Sequence, residues 1–537
     1  MNIVKQSKNE KIELKNSKWL VIFGVFALFF IILMGNYSRI WGFSDECDNF
    51  AGGLVVAKGG MLYRDYISQH MPVMYYLCAI FHLLGANTVY LYRLYFYIVF
   101  ALMWTAVYFR YSFKFGKVPM LICPLIYFCN MYTYYNSGVL SDQLQAVGMV
   151  ILLLEYLWYL DTNEMTVKSS VWLSFAIFIS FGTAFMAGLA VFVIAVSVFI
   201  NEIIDAVKEK KTCKEFVIAI ARKYWKMVVI ICLPFAILLV YYLLNHNFKN
   251  FVYGAYEINR TIYPKYIAGY GAGIASTILG TIDSYFSTFK NSLTGILSDT
   301  LGNFRILLCY VVNVCYLIRT FQKKKIGKTI TIIAFMLMCG VRGFGCDFHA
   351  LPYFAVTAFM AAWLLQEFFA SKEKKNMIYA LALAFSAFIF VIPYGEQFTS
   401  ILSAKSVALQ KPSEYEMNYS YYITRLTDKE EKVLYCTLDF AEIANSNRSI
   451  VPIGVSTPWT HEAYEEEDIQ NVKEANPRVI LYNPDYTLWS YNLSDYAQDF
   501  MDYIEKNYTC LEVENMPYLY VRNDYYKEAS MKLENMN

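Results

Sequence analysis

Three carboxylates stand close together in the stretch Ser44-Asp45-Glu46-Cys47-Asp48. Clustered carboxylates repel one another and raise each other's pKa, so holding them together costs free energy. A carboxylate within hydrogen-bond reach of a hydroxyl can accept the proton of that hydroxyl. We therefore treat Asp45 and Glu46 as candidate catalytic residues. The alternative is that they only begin a solvated loop.

Asp142 is a third candidate acid, and it closes the short turn Asn136–Asp142 before a long apolar run. An ionisable residue at the end of a membrane-spanning helix can serve a function. Ser141 or Asp142 could instead cap the following helix, because both residue types are favoured at that position. The sequence leaves both interpretations open.

Long apolar runs decide the class of protein to which these residues belong. Apolar residues make up 57% of the 537-residue chain, charged residues make up 17%, and the mean hydropathy is +0.35. A soluble protein carries about a quarter charged residues. Runs of about twenty apolar residues are long enough for a helix to cross roughly 30 Å of hydrocarbon. We predict eleven membrane-spanning helices, near residues 19–36, 89–109, 118–134, 142–160, 171–186, 187–203, 227–244, 305–318, 328–342, 350–369 and 376–394.

The basic residues orient these spans. The shorter run Pro72–Leu84 is treated as interfacial or re-entrant, since thirteen residues are too few to span. The segments on one side then hold 24 Lys or Arg, and the opposite loops before residue 396 hold eight. The positive-inside rule places the Lys-rich side, with the N-terminus, in the cytoplasm. The loops 36–89 and 246–303 and the tail 396–537 are then extracytoplasmic, in a multi-pass plasma-membrane protein.

The tail alternates strand-like and helix-like segments, which is typical of a small α/β domain. The predicted strands are Lys432–Leu438, Ser449–Val455, Arg478–Tyr482, Tyr508–Val513 and Tyr518–Arg522, and the predicted helices are His461–Glu474 and Ser494–Asn507. The twelve Cys residues lack CxxC pairs, so a zinc site is not predicted. Cys436 and Cys510 could form a disulfide in the tail, and the sequence leaves their pairing open. We expect two domains, 1–395 and 396–537.

A set of residues in a fixed order follows the first predicted span. These residues are Asp45-Glu46, Gly60, Tyr63-Arg64-Asp65, His70, Pro72 and Arg93-Leu94. Their order and spacing resemble the GT-C superfamily of glycosyltransferases, and within it the branch of protein O-mannosyltransferases and aminoarabinose (lipid A) transferases. The resemblance extends to about residue 160, and beyond that only to architecture. Met71 departs from it, because family members commonly carry a second Pro there.

The resemblance implies a GT-C-like fold and a lipid-linked-sugar transferase. Such an enzyme moves a hexosyl or pentosyl group from a polyprenyl-phosphate donor to a hydroxyl of a cell-surface glycan, lipid or protein. The resemblance places the base at Asp45 and an acid at Asp142 facing it. It leaves a dependence on a divalent metal open, and we assign no metal ligands. The bilayer is a further partner, and no nucleic acid is expected.

Transfer from a phosphate leaves negative charge that a cation, preferably Arg, can stabilise. For each external cation the alternative is a side chain that snorkels to lipid headgroups. Asp347 before His349 could equally be a helix cap. The candidate substrate-binding residues are Arg64, Asp65, His70, Arg93, Arg260, Lys265, Arg342 and His349.

A polytopic lipid or glycan transporter or flippase is the alternative function. Transporters place charged residues near the bilayer midplane and often consist of repeated halves. Here the acids lie at one membrane face, and the sequence shows no internal repeat, so the transferase is favoured. A scaffold that only anchors the tail would not need acids at two helix ends on the same side.

The orientation of the tail is directly testable. If residues 396–537 are outside, a membrane-impermeant maleimide added to intact cells should label Cys436 or Cys510, and external protease should remove the tail. Labelling only after the membrane is permeabilised would contradict the orientation and, with it, the extracytoplasmic catalytic face.

Overall fold

A computed structural model describes residues 18–28, 30, 44–131, 138–266, 273–298, 300–322, 326–340, 348–370, 414–436, 441–514 and 516–535. Before residue 371 the described chain is helical. Its helices are α1 (Lys18–Leu28), α2 (Ser44–Ala57), α3 (Val73–Leu83), α4 (Val89–Phe115), α5 (Lys117–Met131), α6 (Ser141–Thr162), α7 (Val167–Phe181), α8 (Gly188–Lys208), α9 (Cys213–Leu244), α10 (Phe248–Val252), α11 (Ile258–Thr261), α12 (Tyr263–Tyr266), α13 (Ile274–Thr294), α14 (Thr300–Gln322), α15 (Ile326–Cys339) and α16 (Leu351–Ala370).

The chain is a multi-pass membrane protein with the predicted helical architecture. Among the described residues, five helices are long and apolar enough to cross a membrane: α4, α6, α9, and α8 and α16 with the turns that precede them. Five further predicted spans coincide with the shorter apolar helices α1, α5, α7, α14 and α15. The eleventh predicted span, 376–394, lies outside the described residues. The segment Pro72–Leu84 forms α3, whose 11 residues cover about 16 Å.

The spanning helices form a bundle with α6 at its centre. Nearly every side chain from Asp142 to Tyr159 on α6 is buried, and α16 packs against both α5 and α6. In contrast, α8 and α9 present large apolar side chains to the surroundings, for example Phe192 and Ile237. Such faces suit acyl chains, so the bundle has a protein-filled centre and a lipid-facing periphery.

The predicted span near 89–109 is longer in the structure, because α4 continues to Phe115 and includes Arg110. Arg110 is buried and donates hydrogen bonds to Glu155 at 2.9 and 3.2 Å. Its guanidinium also lies 4.2 Å from the centre of the Trp158 ring. A charge this deep is stable only when it is paired. Arg110 therefore joins α4 to α6 and is not a free loop charge.

Helices α2 and α3 pack unusually closely because two consecutive glycines face α3. A Cβ atom on Gly52 would lie 2.4 Å from the Tyr75 ring, and one on Gly53 would lie 2.5 Å from Cys78 Cβ and 2.9 Å from the backbone nitrogen of Ala79. Small residues allow such close approach of two helices. The contact places the side chain of Tyr75 against the acidic end of α2.

Residues 414–535 form the predicted small α/β unit. Its elements are α17 (Glu414–Leu426), β1 (Lys432–Tyr435), α18 (Ala441–Ser446), β2 (Ser449–Ile450), α19 (Pro458–Ala475), β3 (Val479–Leu481), β4 (Thr487–Leu488), β5 (Tyr491–Asn492), α20 (Leu493–Tyr496), α21 (Gln498–Asn507), β6 (Tyr508–Cys510), β7 (Leu519–Arg522) and α22 (Tyr526–Glu534). All five predicted strands are present. They form one sheet in the order β2-β1-β3-β7-β6. Strands β2, β1 and β3 are parallel, β7 is antiparallel to β3, and β6 is antiparallel to β7.

The α/β unit packs against the end of the bundle that carries α2. Helix α18 and strand β2 contact α2, and Lys58 Nζ donates to the carbonyl of Asn447 at 2.8 Å. A second contact involves the segment 248–266 of the predicted extracytoplasmic loop 246–303. Its Tyr253 hydroxyl donates to the carbonyl of Ala463 on α19 at 3.1 Å. Part of the long loop 246–303 is thus covered by the α/β unit.

Cys436 and Cys510 are both free thiols. Cys436 follows β1 and Cys510 ends β6, so β3 and β7 lie between them. Three strand spacings amount to about 14 Å, whereas disulfide-bonded Cα atoms are at most about 7 Å apart. The two residues do not pair. Cys436 is fully buried and Cys510 only partly, so Cys510 is the residue that can report the orientation of the tail.

The glycine contact between α2 and α3 predicts a strong effect of one added methyl group. Gly53→Ala should lower the free energy of unfolding by about 1–3 kcal/mol, as overpacking does, because a backbone atom of α3 must move. The measurement is thermal unfolding of the purified protein. Gly24→Ala is the matched control, since a Cβ on Gly24 meets nothing within 4 Å. Equal unfolding temperatures for the two variants would contradict the close packing.

Candidate functional site

Glu46 is the most deeply placed of the clustered acids. It is 0% exposed and faces Arg93 of α4, which is 2% exposed. Arg93 Nε donates to Glu46 Oε1 at 2.7 Å, and Arg93 Nη2 donates to Glu46 Oε2 at 2.5 Å. Two parallel bonds of this kind form the strongest Arg–carboxylate geometry. Glu46 and Arg93 therefore form a buried ion pair that joins α2 to α4.

Glu46 also holds the turn before α6. Its Oε1 accepts a hydrogen bond from the backbone nitrogen of Val139 at 2.8 Å, and Asn49 donates to the carbonyl of Val139 at 3.0 Å. Gly138 faces the same carboxylate, and a Cβ atom there would lie 3.3 Å from Glu46 Cδ. Two segments separated by about ninety residues are thus joined at one point, and the start of α6 is fixed beside the start of α2.

Asp142 is not the helix cap. The N-cap of α6 is Leu140, which makes no side-chain capping bond, and Asp142 is the second residue of the helix. Its carboxylate is buried, and Oδ1 lies 3.3 Å from Nδ1 of His349, just before α16. The capping interpretation is therefore wrong. Asp142 instead links the starts of α6 and α16, and the structure brings together two residues that the sequence assigns to the site.

Asp48 is the centre of a polar network, a role that the sequence does not predict. Its carboxylate accepts hydrogen bonds from the hydroxyls of Tyr66 and Tyr75, both at 2.5 Å. Nδ1 of His70 lies 3.0 Å from Oδ2 of the same carboxylate. Burial, and then the Asp48 charge, raise the pKa of Tyr66 and Tyr75 well above the usual range. Both hydroxyls therefore stay protonated and donate to Asp48.

This network fixes His70. A carboxylate accepts hydrogen bonds only, so the contact with Asp48 places a proton on Nδ1 of His70. The imidazole is one-third exposed, whereas Asp48 is 14% exposed. The spacing of Asp45 and Asp48, three residues apart on a helix, would have indicated a shared face. The tyrosine and histidine partners could not be inferred, because they depend on how α3 packs.

Asp45 lies in the first turn of α2, next to Glu46, and is partly exposed. Three residues separate it from Asp48, so both project from one side of the helix. The three acids of the cluster have therefore separated into different environments. Glu46 is buried in an ion pair, Asp48 is held by tyrosines and His70, and Asp45 remains at the partly exposed surface.

Three other predicted substrate-binding cations are described, and all three are exposed. Arg64 pairs with its neighbour Asp65 at 2.7 Å in an exposed ion pair, and Asp65 also accepts from the backbone of Met61 at 2.7 Å. Arg260 is exposed, with its guanidinium 5.9 Å from the centre of the Tyr256 ring. Lys265 forms an ion pair with Glu462 of α19. Arg342, like the neighbouring Asp347, lies outside the described residues.

Within the part of the chain that the structure describes, no three His, Cys, Asp or Glu side chains are grouped so that they could hold a metal ion. The described acids of the site instead use histidine, arginine and tyrosine as partners.

Comparisons with solved structures show which fold this chain shares. Two crystal structures of ArnT from Cupriavidus metallidurans, one bound to undecaprenyl phosphate and one in the apo state, match 94% and 95% of the chain and 98% of ArnT. Their TM-scores are 0.50 and 0.51, and the sequence identity is 13%. The chain has the ArnT fold. The predicted GT-C-like architecture, with its small α/β unit, is thereby confirmed.

A more remote similarity is to the archaeal oligosaccharyltransferase AglB from Archaeoglobus fulgidus, in complex with an inhibitory peptide and a dolichol-phosphate. It covers 95% of the chain and 75% of AglB, with a TM-score of 0.46 and 12% identity. The sequence matches no protein-family profile and no curated protein. The likeness to ArnT concerns the fold, and the roles of individual residues rest on the geometry described above.

The Glu46–Arg93 pair predicts that Glu46→Gln acts through stability. The amide keeps the shape of the side chain but removes the carboxylate charge that faces a buried guanidinium, a loss that typically costs about 3–5 kcal/mol. Thermal unfolding should show a large loss. The control is Glu462→Gln, which breaks an ion pair that is 58% and 34% exposed and should cost less than about 1 kcal/mol. If Glu46→Gln unfolded at the wild-type temperature, the structural role of the pair would be refuted.

Proposed function

We propose that this chain is a membrane glycosyltransferase that moves a sugar from a polyprenyl-phosphate donor to an acceptor hydroxyl on the extracytoplasmic face. The observation that carries the proposal is the separation of the acids on α2. Glu46 pairs with Arg93, while Asp45 is partly exposed, and the turn that Glu46 holds leads into a second acid, Asp142.

Asp45 is the proposed base. The acceptor oxygen attacks the anomeric carbon of the donor sugar, and the bond from that carbon to the phosphate oxygen breaks with its electron pair on the phosphate. The acceptor proton passes to the Asp45 carboxylate, which later returns it to solvent. A positioned carboxylate of this kind typically accelerates transfer by about 10²–10⁴-fold.

Two histidines are the proposed contacts of the departing phosphate. His70 is oriented by Asp48, and His349 by Asp142. Each imidazole is thereby fixed in orientation, and a protonated imidazole can donate a hydrogen bond to a phosphate oxygen. Arg93 is proposed to position Glu46, with which it forms an ion pair, and no longer to bind substrate. Arg64, Asp65, Arg260, Lys265 and Arg342 remain proposed substrate contacts.

The fold supports the class of donor. ArnT, whose fold this chain shares, was crystallised with undecaprenyl phosphate, and a lipid-phosphate donor is consistent with a site at the end of a membrane-spanning bundle. The tail 396–537 is proposed to lie on the extracytoplasmic side, as the charge distribution predicts, in a plasma membrane. The transferase is preferred to a transporter because Glu46, Asp48 and Asp142 lie at the starts of α2 and α6, at the end of the bundle where the α/β unit packs.

The proposal predicts that Asp45→Asn loses activity without losing stability. The amide retains size and hydrogen bonding but not basicity, so turnover should fall by about 10²–10⁴-fold. Transfer of radiolabelled sugar and thermal unfolding are measured on the same preparation. Asp205→Asn, in an exposed ion pair on α8, is the matched control and should keep full turnover. Wild-type turnover in Asp45→Asn would exclude Asp45 as the base.

A further inference from the structure

A tryptophan stands at the tip of the hairpin formed by β4 and β5. Trp489 is 62% exposed, and its backbone φ is +55°. This left-handed conformation favours glycine, because the side chain of any other residue crowds the backbone. Bulky residues held in such a conformation occur preferentially at ligand sites. A large apolar ring is therefore displayed at the one position of the turn where glycine would fit best.

Trp489 is the outermost of five rings, which we call the aromatic platform. Its ring lies 5.3 Å from that of Trp459, which in turn lies 5.0 Å from Tyr263 and 6.3 Å from Tyr266. Tyr491, across the hairpin, lies 5.5 Å from Tyr266. Trp459, Trp489 and Tyr491 belong to the α/β unit, and the two other tyrosines to segment 248–266. The platform thus continues the interface between these two parts.

Polar groups surround the platform. The carboxylate of Glu462 accepts a hydrogen bond from the Tyr266 hydroxyl at 2.6 Å and pairs with Lys265. Asp485 precedes the hairpin and Asp495 follows it, and both are exposed. Beneath Trp489, the indole nitrogen of Trp459 is buried and has no hydrogen-bond partner among the described residues. A buried donor of this kind calls for an acceptor.

We infer that the aromatic platform binds a saccharide chain. The hydrogens on the face of a sugar ring carry partial positive charge, which complements the negative face of an indole. Sugar hydroxyls can donate to the carboxylates of Glu462, Asp485 and Asp495 and accept from Lys265. The same three carboxylates disfavour insertion of the hairpin among anionic lipid headgroups. The polarity of the rim therefore selects a glycan over a bilayer.

The location connects this surface with the transferase site. Trp459 packs in one apolar cluster with Ile67, which lies three residues before His70 in the loop that the Asp48 network holds. The inference rests on the proposed function, whose acceptor it assigns to the glycan class. A glycan that crosses the platform would enter the site from the side of the α/β unit.

The test is calorimetric titration of the full-length protein in lipid nanodiscs with hexasaccharides of glucose, mannose, galactose and N-acetylglucosamine, in α- and β-linkage. At least one should bind, and Trp489→Gly should weaken that binding by about tenfold or more, as removal of a central aromatic contact does. Glycine suits the left-handed backbone, so the unfolding temperature should be unchanged or higher. Trp225→Ala, at another exposed Trp, should bind like the wild type.

Other outcomes contradict the inference. Binding of no hexasaccharide, or equal binding by Trp489→Gly, would refute a saccharide site. Quenching of Trp489 fluorescence by brominated lipids, detected as a difference between wild type and Trp489→Gly, would assign the hairpin to the bilayer. Sugar transfer without saccharide binding would refute the saccharide site and leave the proposed function standing. Trp489-dependent binding without any sugar transfer would refute the proposed function and leave the saccharide site standing.

Discussion

The buried pair between Glu46 and Arg93 is the interaction on which the site depends. Neither charge could remain in the interior alone, because the cost of removing a charge from water exceeds the gain unless a partner and further hydrogen bonds compensate for it. The pair meets this condition with two Arg–carboxylate bonds and a third from the backbone of Val139. Three separate segments, α2, α4 and the turn before α6, are thereby fixed at one point.

The position of the other acids follows from that point. Because Glu46 turns inward, Asp45 and Asp48 project from a different side of α2. The glycines that let α3 approach bring Tyr75 to Asp48, and the turn held by Glu46 leads directly into Asp142. The starts of α2, α6 and α16 are thus coupled, although they are far apart in sequence. The α/β unit adds a further constraint, because α18 and β2 pack on α2 itself.

Much of the architecture could be predicted because it depends on local patterns. Hydropathy predicts ten apolar helices that the structure describes, and alternation predicts the five strands of the sheet. The roles of the acids could not be separated in this way. Asp45, Glu46 and Asp48 have equivalent positions in the sequence, and only tertiary partners such as Arg93 and Tyr75 distinguish them. For the same reason the sequence does not distinguish a functional role of Asp142 from helix capping, and it does not predict the ion pair between Lys265 and Glu462.

The central claim is that this bundle transfers sugar from a lipid phosphate. The most direct test is to incubate the purified protein with a panel of radiolabelled polyprenyl-phosphate sugars and an extract of cell-envelope acceptors. The account predicts that at least one donor loses its label to an acceptor and releases free polyprenyl phosphate in equal amount. Tight binding of these lipids without release of polyprenyl phosphate from any donor would contradict the account and favour a transporter.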